Sequence, residues 1–334
     1  MHQNFDRYKL SASDHEAIYQ DIRESMFSDN TGMDYPTAVI LGGQPGSGKS
    51  IVLDRALEDF PDRNAVVING DDFRKWHPDS RKIITLDEAN YARLTDLDVR
   101  EWTRRLFADA VESKRSIVFE STMRTPEPIA STMRNLVDHQ YTTIARVLAV
   151  HRYESITGVF TRFERQKADH GHGRMAPIPV HDEAYEGLLQ TLDAIQDRQC
   201  AHCIQVLSRD NELLLDTQSF SGSWKPSVRA SEVVVAQRSK PISLFMANRL
   251  LATWEEVGDR LHARNARQVE IETTASAYRH ILNEIGPILL ANPNLAERAA
   301  STHGMAKVSK LLGLETKKSF EPQPGILSWR DIGR

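Results

Sequence analysis

Gly43-Gln44-Pro45-Gly46-Ser47-Gly48-Lys49-Ser50 fits the pattern G-x-x-x-x-G-K-[ST], and its flanks decide the fold. Ahead of it, Ala38-Val39-Ile40-Leu41 reads as a short buried strand. Behind it, Ile51-Val52-Leu53-Asp54-Arg55-Ala56-Leu57 reads as the first turns of a helix. A glycine-rich turn between a strand and a helix can curl so that successive N–H groups point inward at phosphate oxygens. The helix N-terminus adds its partial positive charge. In this reading Gly43, Gln44, Pro45, Gly46, Ser47 and Gly48 form the cradle. Lys49 reaches the β- and γ-phosphates, and the Ser50 hydroxyl holds Mg²⁺. A plain tight turn is the bland alternative, and the strand and helix on either side argue against it. The segment predicts binding of a nucleoside triphosphate, ATP or GTP.

Outward from the loop, apolar runs recur at Ala65-Val66-Val67-Ile68, Ser116-Ile117-Val118-Phe119 and Ala145-Arg146-Val147-Leu148-Ala149-Val150. Stretches of helical spacing separate them, such as Trp102, Leu106, Ala110 and Val111. The pattern predicts an α/β fold, a P-loop kinase-like parallel sheet with helices on both faces. A helix is expected from Ser13 to Phe27, opened by the capping box Ser13-x-x-Glu16, with Ile18, Ile22 and Met26 on one face. After about Ser219 the pattern changes. Ser221-Gly222-Ser223 and Lys225-Pro226-Ser227 read as a connection. Leu250, Trp254, Val257 and Leu261, then Ala275, Tyr278, Leu282 and Ile285, recur with helical period as a core stripe. Asn292-Pro293-Asn294 and Gly304 interrupt the end of this region, and the tail through Pro322, Pro324 and Gly325 reads as loosely ordered. The expected division is a kinase domain at 1–218 and a helical appendage at 219–334.

The 334 residues carry 42 Lys and Arg against 46 Asp and Glu, a net charge of −4, which argues against a general nucleic-acid binder. No apolar run is long enough to span a bilayer, and Met1-His2-Gln3-Asn4-Phe5-Asp6 lacks the pattern of a cleaved signal. A cytoplasmic location without membrane contact is expected. Cys200 and Cys203 form a C-x-x-C. There is no second pair for zinc, and Cys203-Ile204-Gln205-Val206-Leu207 leads through Arg209-Asp210-Asn211 into Leu213-Leu214-Leu215 as a hairpin. These cysteines read as core residues.

Ligands of such sheets bind beyond the carboxyl ends of the strands, so the residues there carry the chemistry. The second strand ends in Asn69-Gly70-Asp71-Asp72-Phe73-Arg74. Asp71 is the candidate base that accepts a proton from an attacking hydroxyl, and Asp72 the candidate cap of the following helix. Asp71 lies near the phosphate loop if the two strands are neighbours. The third strand ends in Glu120-Ser121-Thr122-Met123-Arg124. Here the carboxylate can bind Mg²⁺ through water or hold a substrate hydroxyl, and Thr122 and Arg124 offer donors to a polar anionic ligand. Beyond the fourth strand, Arg162 and Arg174 are candidates to stabilise charge on a transferring phosphoryl group. His170-Gly171-His172 has too few companions to make a metal site.

This series of motifs, from Gly42 to Ser50, from Asn69 to Arg74 with His77-Pro78, and from Glu120 to Arg124, resembles the zeta-toxin kinases of bacterial epsilon/zeta-type toxin–antitoxin systems. The likeness runs from about residue 10 to 218, through Arg162, Arg174-Met175-Ala176-Pro177 and the hairpin after Cys203. It implies phosphorylation of UDP-N-acetylglucosamine or a related UDP-sugar on a sugar hydroxyl, which would jam peptidoglycan precursor synthesis. It implies Lys49 and Ser50 on phosphate and Mg²⁺, Asp71 as base, and Glu120, Thr122 and Arg124 in the substrate pocket. Arg162 and Arg174 would act on the transferring phosphoryl group, and a small helical antitoxin would occlude the nucleotide site. Two positions depart from the family. Ser121 replaces a more usual glycine, and Arg104 stands where a substrate-contacting carboxylate is expected, with Glu101 nearby. A kinase of another small acceptor (a nucleoside, an NAD-type dinucleotide or an RNA end) and a nucleotide-dependent switch are the alternatives. The strand ends fit a switch less well, for want of an apolar strand running into a Walker-B acid.

Overall fold

Residues 5–296 are described by the computed structural model of the chain. Gly304, Pro322, Pro324 and Gly325 lie outside the described residues. In chain order the first elements are α1 (Ala12–Phe27), β1 (Thr37–Gly42), α2 (Lys49–Glu58), β2 (Val66–Ile68), α3 (Gly70–Phe73), α4 (Ser80–Asp87), α5 (Tyr91–Leu94) and α6 (Asp96–Glu112). Then come β3 (Ile117–Ser121), α7 (Pro126–Asp138), β4 (Thr142–Leu148), α8 (Arg152–His170), α9 (Ile178–Arg198), β5 (Cys203–Leu207), β6 (Leu213–Phe220) and β7 (Ser223–Lys225). Three further helices follow: α10 (Ala230–Arg238), α11 (Leu244–Ala263) and α12 (Gln268–Ala291).

Packing divides the described chain into two compact units. One holds residues 5–150 and Val180–Arg238, the other His151–Pro179 and residues 239–296. These units differ from the division at 218/219, which followed the reach of the motif series. Residues 151–179 pack with the later helices, and 219–238 pack with the sheet.

The first unit is built on a seven-stranded sheet in the order β2-β3-β1-β4-β5-β6-β7. The first five strands run parallel, and β6 and β7 add antiparallel to the β5 edge. Strand β1 sits in the middle, where both faces are covered, so its side chains are apolar without alternation. Ala38 and Ile40 enter one core with Trp102, Leu106, Met133 and Leu188, whereas Val39 and Leu41 enter another with Val52, Ala56 and Phe60 of the α2 segment. Fully burying each such large side chain contributes about 1.5–3 kcal/mol. The expected hairpin is β5–β6, and the stretch read as a connection holds a third antiparallel strand, β7. Helix α1 covers the expected span, but its N-cap is Ser11, whose hydroxyl accepts from the Asp14 N–H at 3.2 Å, two residues before Ser13.

The second unit is helical. Ile156 and Phe160 of α8 pack with Leu250, Trp254 and Val257 of α11 and with Tyr278, Ile281 and Ile285 of α12. The Trp254 indole N–H donates to the Thr157 hydroxyl at 2.8 Å, which satisfies its one polar atom inside the core. The stripe read from the sequence is therefore core.

Candidate active site

The phosphate loop leaves the end of β1 and enters α2 through Gly48, which takes φ 97° as the N-cap. A residue with a Cβ is strained at that angle, and Gly46, at φ 76°, makes the same demand. No side chain caps α2, so its first N–H groups face the concavity of the loop. Lys49 is buried. Its Nζ donates to the Gly43 carbonyl at 2.7 Å and to the Gln44 carbonyl at 3.3 Å, and lies 3.8 Å from Glu120 Oε1. The Ser47 hydroxyl is buried with no hydrogen-bond partner among the described residues. Uncapped N–H groups, a buried ammonium and an unsatisfied hydroxyl fit an anionic polyphosphate. Ser50, in the first turn of α2, is exposed, so its hydroxyl is open to a cation. No group of three or more His, Cys, Asp or Glu side chains converges among the described residues. Mg²⁺ here would depend on phosphate oxygens, water and Ser50, as that ion commonly does.

Strand order corrects the expected route from the loop to Asp71. β2 is not beside β1; β3 lies between them, with Leu41 opposite Glu120 and Ile68 opposite Phe119. Glu120 is thus the carboxylate next to the phosphate loop, and Asn69 joins it to Asp71. The Asn69 amide donates to Glu120 Oε2 at 3.3 Å, while its oxygen accepts from the Asp71 N–H at 3.1 Å. Asn69 is therefore the N-cap of α3, the role expected of Asp72. Arg74 holds the Asp71 carboxylate from the other side, Nε to Oδ1 at 3.1 Å. Arg74 is itself buried and fixed by the Thr95 hydroxyl at 2.8 Å and Asp96 at 3.2 Å. The Asp71 side chain remains 45% exposed while Arg74 orients its carboxylate.

The turn after β3 is held tightly. The Ser121 hydroxyl accepts from the Met123 N–H at 3.1 Å, and Met123 is buried with φ 49°. The Thr191 hydroxyl donates to the Met123 carbonyl at 2.6 Å. Helix α9 passes so close that a Cβ on Gly187 would stand 1.9 Å from the Arg124 carbonyl oxygen. The serine at this turn thus takes a role a glycine cannot, accepting the hydrogen bond that sets the turn. Thr122 is half-buried, and Arg124 is exposed, facing Glu183 at 3.4 Å. On α6, Arg104 and Glu101 form an exposed bidentate pair at 2.6 and 2.9 Å. Arg162, on α8, and Arg174, whose N–H donates to Gln166 Oε1 at 2.9 Å, are half-buried members of the second unit.

The site gathers residues that the sequence reading did not single out. Asn69 and Arg74 stood inside a quoted motif. Arg209, in the β5–β6 turn, donates to the Gly46 carbonyl at 3.2 Å. Arg238, at the end of α10, donates to Gln44 Oε1 at 2.9 Å. The cysteines are free. Cys200 is buried, and burial, with Asp216 beside it, pushes the Cys203 thiol up to about 12, so neither is poised as a thiolate. Among the described residues no helix is long and apolar enough to cross a membrane.

Comparison with known proteins adds to this geometry. A family model described as Zeta toxin matches residues 23–219. The chain is 26% identical over 221 residues to Toxin zeta of Streptococcus agalactiae, covering 66% of this chain and 75% of that protein. It is 26% identical over 235 residues to Toxin zeta of Enterococcus hirae, covering 68% and 80%. A solved structure from the PezAT chromosomal toxin–antitoxin system of Streptococcus pneumoniae superposes with a TM-score of 0.65 at 18% identity, over 76% of this chain and 98% of that one. The last likeness establishes the fold: a mostly parallel mixed sheet dressed with helices.

Proposed function

The chain belongs to the zeta toxin family, and from that premise we propose that it is a kinase that transfers the γ-phosphoryl group of ATP or GTP to a sugar hydroxyl of a UDP-sugar, with UDP-N-acetylglucosamine as the preferred acceptor. The observation that carries the reading is the chain of contacts Lys49–Glu120–Asn69–Asp71, which links a partly exposed carboxylate to the lysine of a loop suited to polyphosphate. The loop N–H groups and Lys49 hold the triphosphate. The acceptor oxygen forms a bond to the γ-phosphorus as the bond to the β-bridging oxygen breaks, and its proton passes to Asp71. Arg74 keeps the Asp71 carboxylate oriented for that transfer. On this proposal Glu120, Thr122 and Arg124 bind the acceptor, and Arg162 and Arg174 act on the spreading negative charge, the roles that the family resemblance implies. Mg²⁺, held at Ser50, supplies charge neutralisation to the phosphates when bound.

In a cell such a product would block peptidoglycan precursor synthesis, which makes the enzyme a cytoplasmic toxin. A small helical antitoxin that covers the nucleotide site is the partner we propose. The resemblance to a protein from a toxin–antitoxin system supports that partner.

The test is incubation of the pure protein with labelled ATP and UDP-sugars, nucleosides or buffer alone. Label is expected on a UDP-sugar and should fall about 10²–10⁴-fold in Asp71→Asn. Label on a nucleoside instead would move the acceptor class. Release of phosphate with no acceptor labelled would sink the kinase in favour of a switch.

A further inference from the structure

Gln44, the second residue of the phosphate loop, is fully buried, and its amide is held at both ends. Its Nε2 donates to the Val150 carbonyl at 3.1 Å, and its Oε1 accepts from Arg238 Nη2 at 2.9 Å. Arg238 closes α10, 194 residues further along the chain and beyond residue 219, where the match to the family ends. It is 5% exposed. Its Nη1 donates to the Tyr185 carbonyl at 2.6 Å, and its guanidinium lies 3.9 Å from the centre of the Tyr185 ring. These partners are a carbonyl, an amide and an aromatic face, with no carboxylate among them. Burial outweighs the pull of Tyr185 and of the Glu186 carboxylate and brings the guanidinium from its ordinary value down to about 10.

A cation buried on such terms is costly to keep, and its grip on a neutral amide is strong, because hydrogen bonds from charged donors exceed neutral ones. What the grip fixes is the loop backbone. The Gln44 carbonyl accepts from Lys49 Nζ at 3.3 Å and from the Ser47 N–H at 3.2 Å, so a shift of Gln44 moves the ammonium that meets the phosphates.

We infer that Arg238 is a positioning residue for the phosphate loop: by clamping the side chain of Gln44 it sets the loop, and the Lys49 ammonium with it, in the geometry that receives a nucleoside triphosphate. The inference rests on the proposed kinase reading and deepens it. It places a working part of the nucleotide site in a helix outside the matched family region, so a chain cut after residue 219 would lose affinity for nucleotide.

The experiment is a double-variant cycle on the full chain with Arg238→Met, Gln44→Met and both. Mg-ATP affinity is read by calorimetry and the fold by thermal denaturation. R238M is expected to weaken Mg-ATP about tenfold, the loss of one hydrogen bond from a charged donor. The double variant should be within about twofold of the weaker single, because the two residues act as one unit. A merely structural arginine would lower the melting temperature and leave the affinity unchanged, and that result would overturn the inference, as would additive losses in the double variant. Should R238M not fold, Arg238→Gln, polar but too short to span to Gln44, is read in the same way. Binding by the wild type with both Arg238 variants unchanged would remove this inference alone. No Mg-ATP binding by the wild type would remove the kinase reading along with it.

Discussion

The core of the helical unit and the phosphate loop of the sheet unit hold buried charge in different ways. In the helical unit the buried carboxylates meet guanidinium or ammonium groups. Glu164, 1% exposed, accepts two hydrogen bonds from Arg264 at 2.8 Å, and the same arginine donates to Glu270 at 2.8 Å. Lys167 adds to Glu270 at 3.4 Å. In the sheet unit Arg74 is paired in the same way, with Asp71 and Asp96, but at the phosphate loop itself Lys49 and Arg238 donate to neutral groups as well. Lys49 donates to two carbonyls and pairs with Glu120 at 3.8 Å, and Arg238 sits on an amide, a carbonyl and a ring. Carboxylates pair the charge that holds the helices together, whereas carbonyls and an amide take part of the hydrogen bonding of the cations at the loop. The contrast separates a part of the molecule arranged for stability from a part arranged for binding.

The strongest way to break that contrast is at Lys49. Lys49→Met keeps the stem and removes the charge. If the ammonium serves the ligand, phosphoryl transfer should fall by about 10³-fold or more, while unfolding free energy changes by no more than about 1–2 kcal/mol. Turnover assays paired with urea unfolding decide this. A variant that loses stability heavily and keeps its turnover would mean that the lysine is a structural residue.

The counterpart lies in the helical unit. Glu164→Ala leaves Arg264 without its bidentate partner, and the expected cost is about 3 kcal/mol, toward the low end for a broken buried pair because Arg264 keeps some solvent and Glu270. Amide hydrogen exchange in α8 and α11 should report it, with protection falling together across both helices. Protection that stays at the wild-type level would show that this cluster contributes specificity without net stability.

How much of this could be read from the chain depends on the distance over which each feature is encoded. The phosphate loop is local. Eight consecutive residues between a strand and a helix carry it, and its glycines at 46 and 48 have the positive φ such a turn demands. The stripe Leu250, Trp254, Val257 and Leu261 is local too, and all four are buried. The order of strands is not local. Each strand is legible by itself, but nothing in β1 or β2 states that β3 will be laid between them, and that insertion is what makes Glu120 the neighbour of Lys49. Asn69 was in view, yet its capping of α3 hid behind the two aspartates that follow it, whose side chains are also favoured at caps. Arg238 had no local signal at all. It ends an ordinary amphipathic helix, and only the fold sets it against Gln44.

The smallest effect tests the paired side of the contrast by pH. Burial pushes the Glu270 carboxyl up, but hydrogen bonds from Arg267 and Arg264 outweigh that and bring it down to about 2. A carboxyl whose folded value lies below its unfolded one, near 4.5, contributes stability that is fully present above the unfolded value and is lost as pH falls toward the folded one. The helical unit should therefore weaken between about pH 4.5 and 2. Many carboxylates titrate in that window, so the comparison must be with Glu270→Gln, which keeps the shape and removes the titration. At pH 6 the wild type should melt about 2–4 °C above the variant, a modest gap because the cluster is partly open to solvent. The gap should close as the pH approaches the folded value, since the protonated carboxyl and the amide are then alike. A gap that stays constant through the acid range would mean that Glu270 acts by shape and hydrogen bonding alone. The helical unit would then share with the phosphate loop a use of neutral hydrogen bonding, and the kind of partner would no longer distinguish the two.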